Sequence, residues 1–111
     1  LPAATTAMGR IFLAQRSEKQ VRQLYADLEA GSLRRLLETR LADQGVSHVQ
    51  SIGRFESGIS SVAAPVMDMS GQVVAAMSAT NVTESVPAEV VEAVKSAGVA
   101  ISLGLGWRAT P

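Results

Sequence analysis

Residues 59–67 and 72–80, ISSVAAPVM and QVVAAMSAT, constrain the fold of this chain more than any other feature. Neither stretch carries a charge, and both place apolar side chains at a period of two. Between them stands Asp68-Met69-Ser70-Gly71, where Asp can accept backbone N–H groups and Gly suits the left-handed residue that closes a short hairpin loop. The pattern predicts an antiparallel hairpin. Pro65 lacks a backbone donor, so an edge or a bulge is expected beside it.

If Asp68 to Gly71 form the whole loop, Met67 pairs with Gln72. Ser61 then faces Ser78, Ile59 faces Thr80, Ala63 faces Ala76 and Pro65 faces Val74. One face of the hairpin carries Ser61, Ser78 and Thr80 among small apolar side chains. The other carries Val62, Ala64 and Val66 opposite Val73, Ala75 and Met77, a set that packs as core. The assignment depends on register, because a slip of one residue exchanges the two faces. Small side chains leave volume and buried hydroxyls require partners, so the first face suits a small, partly polar ligand. Strand hydroxyls that meet only water or neighbouring backbone are the competing explanation.

Helical periodicity dominates the first 45 residues. Thr5 or Thr6 can cap a helix over 7–15, whose first amides, near Ala7, Met8 and Gly9, have no partner within the helix. Such amides either meet an anion or are satisfied by the capping threonine. Ser17 and Gln20 form a capping box for a second helix, with Val21, Leu24, Tyr25 and Leu28 as its buried stripe and Gly31 as its stop. Ser32 is the expected cap of a third helix, with Leu33, Leu36, Leu37 and Leu41 inward, Arg34, Arg35 and Arg40 solvated, and Gly45 at its end. Val46–Ile52 reads as a weak strand, and Gly53 to Gly58 as a loop. After a loop over 81–86, Pro87 opens a closing helix that runs to about Leu105. Gly98 in its middle marks a close approach to another backbone. Three helices, three strands and a helix make an α+β domain. Three strands form a narrow sheet, so further strands are expected elsewhere in the protein.

Composition excludes several classes of function. The 111 residues hold 10 basic and 10 acidic side chains, which leaves no net field to attract nucleic acid or a membrane surface. Cysteine is absent, so thiolate chemistry and disulfides are excluded. His48 is the only histidine, and Glu56 and Asp68 form no acid–base pair, so neither a catalytic site nor a metal site is expected. No apolar run reaches the roughly 20 residues a membrane helix needs. Opening on Leu1-Pro2 without an initiator methionine, the chain is expected to be one part, over 1–111, of a longer cytoplasmic protein.

LPAATTAMGRIFLAQ (1–15), SEKQV (17–21), and SGISSVAAPVMDMSGQVVAAMSAT (57–80) occur in an order that resembles the C-terminal effector-binding domain of IclR-type transcriptional regulators. The resemblance implies a GAF-like antiparallel sheet with helices on both faces. It also implies a sensor of a small organic acid, working as a homodimer or homotetramer and controlling DNA through a helix-turn-helix domain not present in these residues. No cofactor is implied. Carried over by position, the ligand-binding residues are Ala7, Met8, Gly58, Ile59, Ser61, Ser78 and Thr80. Arg10 is given a structural or surface role rather than a ligand-binding one. Where many members carry acidic residues before Gly58, this chain has Ser51, Ile52, Gly53 and Arg54, with Glu56 alone acidic. The alternative is a GAF-like interaction or oligomerisation domain without a metabolite, in which the hydroxyl face is simply packed.

Overall fold

The computed structural model describes residues 6–52, 58–83 and 85–108. Thr5 and the Gly53–Ser57 part of the expected loop, including Arg54 and Glu56, lie outside the described residues. The elements follow the expected order: α1 (Ala7–Leu13), α2 (Glu18–Leu24), α3 (Ala30–Ala42), β1 (Val49–Ile52), β2 (Ser60–Met67), β3 (Val73–Asn81) and α4 (Ala88–Gly104). The three strands form one antiparallel sheet in the order β1-β2-β3. The chain is therefore an α+β domain with a helix on each sheet face.

The hairpin closes differently from expectation. Ser61 pairs with Thr80 and Ala63 with Ser78, two positions away from the predicted register. The loop itself is shorter, since Asp68 N–H donates to the Gln72 carbonyl and Gly71 N–H to the Asp68 carbonyl, both at 3.0 Å. Gly71, at φ +85°, supplies the left-handed residue. That loop alone would exchange the two faces. A bulge between Val66 and Met67, where Met67 pairs with Val73 while Val66 pairs with Ala75, inserts one residue into β3 and restores them. Val73 moves to the face on which Ser61 lies, and Val74 is left half exposed.

Each face buries its own cluster. Val62 and Ala64 of β2 pack with Val86, Val91 and Val94, and Met77 and Ala79 of β3 lean on them. This is the α4 layer. On the opposite face Ala7 and Ile11 of α1 pack with Val49 and Ala63, against Val46, Val73 and Ala76. Pro65 is tolerated in the central strand because β1 begins only at Val49, opposite Ala63, so beyond that point β2 is an edge on that side. Gly98 makes the expected close approach: a Cβ there would stand 3.0 Å from the Pro65 carbonyl oxygen and 3.2 Å from Ala64 Cβ.

The helical corner departs most from expectation. Ser17 and Gln20 do form a reciprocal capping box. The helix nevertheless ends at Leu24, because of its expected stripe only Val21 is fully buried while Leu24 is 64 % exposed. Without apolar burial a short helix gains too little to continue. Gly31 consequently lies inside α3 and stops nothing. Glu29, not Ser32, caps that helix, its carboxylate accepting from Gly31 N–H at 2.6 Å. Leu13, Val21 and Leu36 form the cluster that joins α2 and α3 to the end of α1.

Candidate functional site

The parity of the sheet sets three hydroxyl-bearing residues in one row. Ser51 of β1 pairs with Ser61 of β2, which pairs in turn with Thr80 of β3. Side chains directly opposite on neighbouring strands have Cβ atoms about 5 Å apart, so the row spans roughly 10 Å on one face. In the next row Val49, Ala63 and Ser78 stand in register. Ser78 thus lies diagonally beside Ser61 and next to the alanine on which α1 packs. Period-two alternation from Val49 places Ser51 on this face, although the ligand-binding residues carried over by position do not include it.

Burial grades along this face. Ser51 is buried, Ser61 half-buried, and Ser78 and Thr80 exposed on the outer strand. Gly58 enters β2 at φ +81°, a conformation that other residues adopt at a cost, and Ile59 follows it half-buried. The face is neither wholly packed nor wholly free: α1 covers Ala63 and Ala76, and the hydroxyl end continues beyond them. Ser60, one step from Ser61, belongs to the opposite face, where it is 1 % exposed with its hydroxyl unpaired among the described residues.

At the start of α1, Thr6 takes the N-cap position and its Oγ1 accepts from Gly9 N–H at 3.0 Å. Gly9 is thereby removed from the amides expected to meet a ligand. Ala7 is buried against the sheet, while Met8 is turned outward and 40 % exposed. Arg10 has a structural role. Its Nε and Nη2 donate to both carboxylate oxygens of Asp43, and its Nη1 donates to the Gln50 carbonyl at 3.1 Å. His48 lies just before β1 with its Nδ1 3.0 Å from Ser47 Oγ, and no group of residues that could hold a metal ion occurs among the described residues. No helix of the described residues is long and apolar enough to cross a membrane.

Residues 1–103 match the family described as the bacterial transcriptional regulator IclR C-terminal domain. The Pca regulon regulatory protein of Pseudomonas putida is 36 % identical over 85 residues, which cover 69 % of this chain and 29 % of that protein. The fold is similar to that of the repressor BlcR of Agobacterium tumefaciens, at 22 % identity and a TM-score of 0.73, over 98 % of this chain and 48 % of that one. It is also similar to a double mutant of the PobR inducer-binding domain from Acinetobacter in complex with 3-hydroxybenzoic acid. There the identity is 21 % and the TM-score 0.72, over 92 % of this chain and 66 % of that one. The chain thus spans about three-tenths of the curated relative and about half of the BlcR chain.

Proposed function

The chain belongs to the IclR C-terminal family of bacterial transcriptional regulators, and on that footing we propose that its hydroxyl-bearing sheet face receives a small organic acid. It is a regulatory domain and not an enzyme. The observation that carries the proposal is the pairing of Ser61 with Thr80, with Ser78 beside them on the same face. Hydroxyl groups donate to carboxylate oxygens through short, charge-assisted hydrogen bonds, and Ser78 and Thr80 are exposed beside the part of the face that α1 covers. Gly58 and Ile59 would border the ligand at the start of β2, and Ala7 and Met8 at the start of α1. A ligand class of this kind is named for the PobR domain, which was solved with 3-hydroxybenzoic acid.

The regulatory step is a population shift. A ligand that binds one arrangement of subunits, in a homodimer or homotetramer, better than another changes the fraction of the protein in each. A helix-turn-helix domain on the same polypeptide would then gain or lose the half-site spacing its operator requires. Such a protein works in the cytoplasm.

Thermal unfolding in the presence of pyruvate, glyoxylate, benzoate and 3-hydroxybenzoate tests the proposal. At ~100 times its dissociation constant a ligand adds about 2.7 kcal/mol, a shift of several degrees for a domain of this size. One of these acids is expected to give such a shift, and Ser78→Ala with Thr80→Val to remove it. Both side chains are exposed, so the double variant should unfold within about 1 kcal/mol of the parent. If no acid moves the transition at millimolar concentration, the domain serves interaction or oligomerisation and binds no metabolite.

A further inference from the structure

A cleft lies at the other end of the α1 layer. It has a volume of about 270 Å³, opens to solvent on one side, and is walled by Ile11, Val46, Pro65, Met67, Val73 and Trp107. Trp107 is the only tryptophan in the chain, and its position is set by the way α4 ends. Gly106 N–H donates to the Leu103 carbonyl and Trp107 N–H to the Ser102 carbonyl, both at 3.0 Å, with Gly106 at φ +95°. This paired-bond C-cap reverses the chain and carries Trp107 from the α4 side to the cavity. Ser102 fixes the same helix end to the hairpin by accepting from Met67 N–H at 2.9 Å.

We propose that this cavity binds a neutral, single-ring aromatic molecule, independently of the organic-acid site. Size argues for one ring, since ~150 Å³ suffices for benzene, and this cleft, partly polar and open to solvent, leaves room for a substituent. The walls argue for an aromatic occupant: an indole ring favours offset or edge-on aromatic contacts, and the Met67 thioether favours ring edges. Charge argues for neutrality. The acidic residue in the lining, Asp43, has both oxygens engaged by Arg10, so an anion meets a carboxylate whose cation is already committed. A cationic ligand would have to displace Arg10. The Gln15 amide offers the polar contact, because its own bond to the Ile11 carbonyl is long, at 3.4 Å.

Benzyl alcohol titrated into the full chain tests this directly, with Trp107 fluorescence and the methyl NMR signals of Ile11, Val46 and Val73 as readouts. A saturable change with half-saturation on the order of 1 mM is expected, with the methyl shifts concentrated on those three residues. Benzoate should move the same methyls only at about tenfold higher concentration, and Val46→Phe should weaken benzyl alcohol about tenfold by occupying the space. The methyl map is read on the parent chain, so it decides the matter even if the variant fails to fold. A linear, unsaturated response, or methyl shifts spread over the whole protein, overturns the proposal. Equal effects of benzoate and benzyl alcohol at these methyls overturn the claim of neutrality. A failure of the organic acids to shift thermal unfolding leaves this test unaffected.

Discussion

Arg10 grips Asp43 through two parallel hydrogen bonds, Nε to Oδ2 at 2.9 Å and Nη2 to Oδ1 at 2.8 Å, and so joins α1 to the residue that ends α3. The Asp43 side chain is only 6 % exposed. Removing Arg10 leaves a carboxylate desolvated without its partner, a situation more costly than the pair itself is favourable. Arg10→Met is therefore expected to lower stability by about 2–4 kcal/mol, and Asp43→Leu by a similar amount. The double variant should lose clearly less than the sum, since neither charge is then stranded. Urea unfolding of the four proteins measures the coupling; strict additivity would show that the two side chains merely lie side by side.

Gly98 lies where α4 presses on β2. Alanine there gains up to about 1 kcal/mol of helix propensity. Its Cβ, however, would stand 3.0 Å from the Pro65 carbonyl oxygen, which is backbone and cannot swing aside. Overpacking of this kind costs about 1–3 kcal/mol, so Gly98→Ala should be net destabilising by up to about 2 kcal/mol. Gly104→Ala, with open space around the new Cβ, should be neutral or stabilising by less than about 1 kcal/mol. Opposite signs in denaturant midpoints confirm the contact; two gains would show that α4 has room to move.

The hairpin shows how far the sequence could be followed. Turn residues and period-two alternation locate both strands, and Pro65 points to the irregularity that lies one step on, between Val66 and Met67, but register depends on how Asp68 is used. Two departures cancelled: a shorter loop and an extra residue near Val74 together shift the pairing by two, so Ser61, Ser78 and Thr80 still share a face. Val73, next to the bulge, exchanged faces. The start of α2 was legible because its capping box is local, whereas its end was not, because that is decided by the absence of a partner for Leu24. The sequence leaves Arg10 between a structural and a surface role, because Asp43 lies 33 residues away and nothing local connects them. The sequence places Ser51 only among the residues before Gly58; its membership of the hydroxyl face depends on the pairing of β1 with β2, because a strand of four residues needs its neighbours to define its faces.

Ser102 is fully buried, donates to the Gly98 carbonyl at 2.7 Å and accepts from Met67 N–H, where the strand pairing is irregular. Ser102→Ala leaves that partly buried amide without its acceptor, at a cost of about 1–3 kcal/mol. Loss of hydrogen-exchange protection should be greatest at Met67 and in the adjoining turn. Uniform loss across the sheet would instead mean that the residue supports the whole α4 interface.

Asp68 makes the hairpin turn sensitive to pH. Its Oδ1 accepts from Ser70 Oγ at 2.6 Å, from Ser70 N–H at 2.9 Å and from Gln72 N–H at 3.2 Å. The Ser70 hydroxyl bond, aided by the backbone N–H groups and opposed by some desolvation, holds the carboxyl below its ordinary value of 3.8. A carboxylate with a lowered folded-state pKa binds fewer protons folded than unfolded. Its contribution is thus complete above the unfolded value and fades as pH falls through the folded one. Asp68→Asn should therefore melt below the parent near neutral pH, and the gap should close as the pH drops below 3.8. Melting both proteins across this range checks it. A gap that stays constant into acid would mean that the ionised form has no special place in the turn, and that the side chain's shape alone matters.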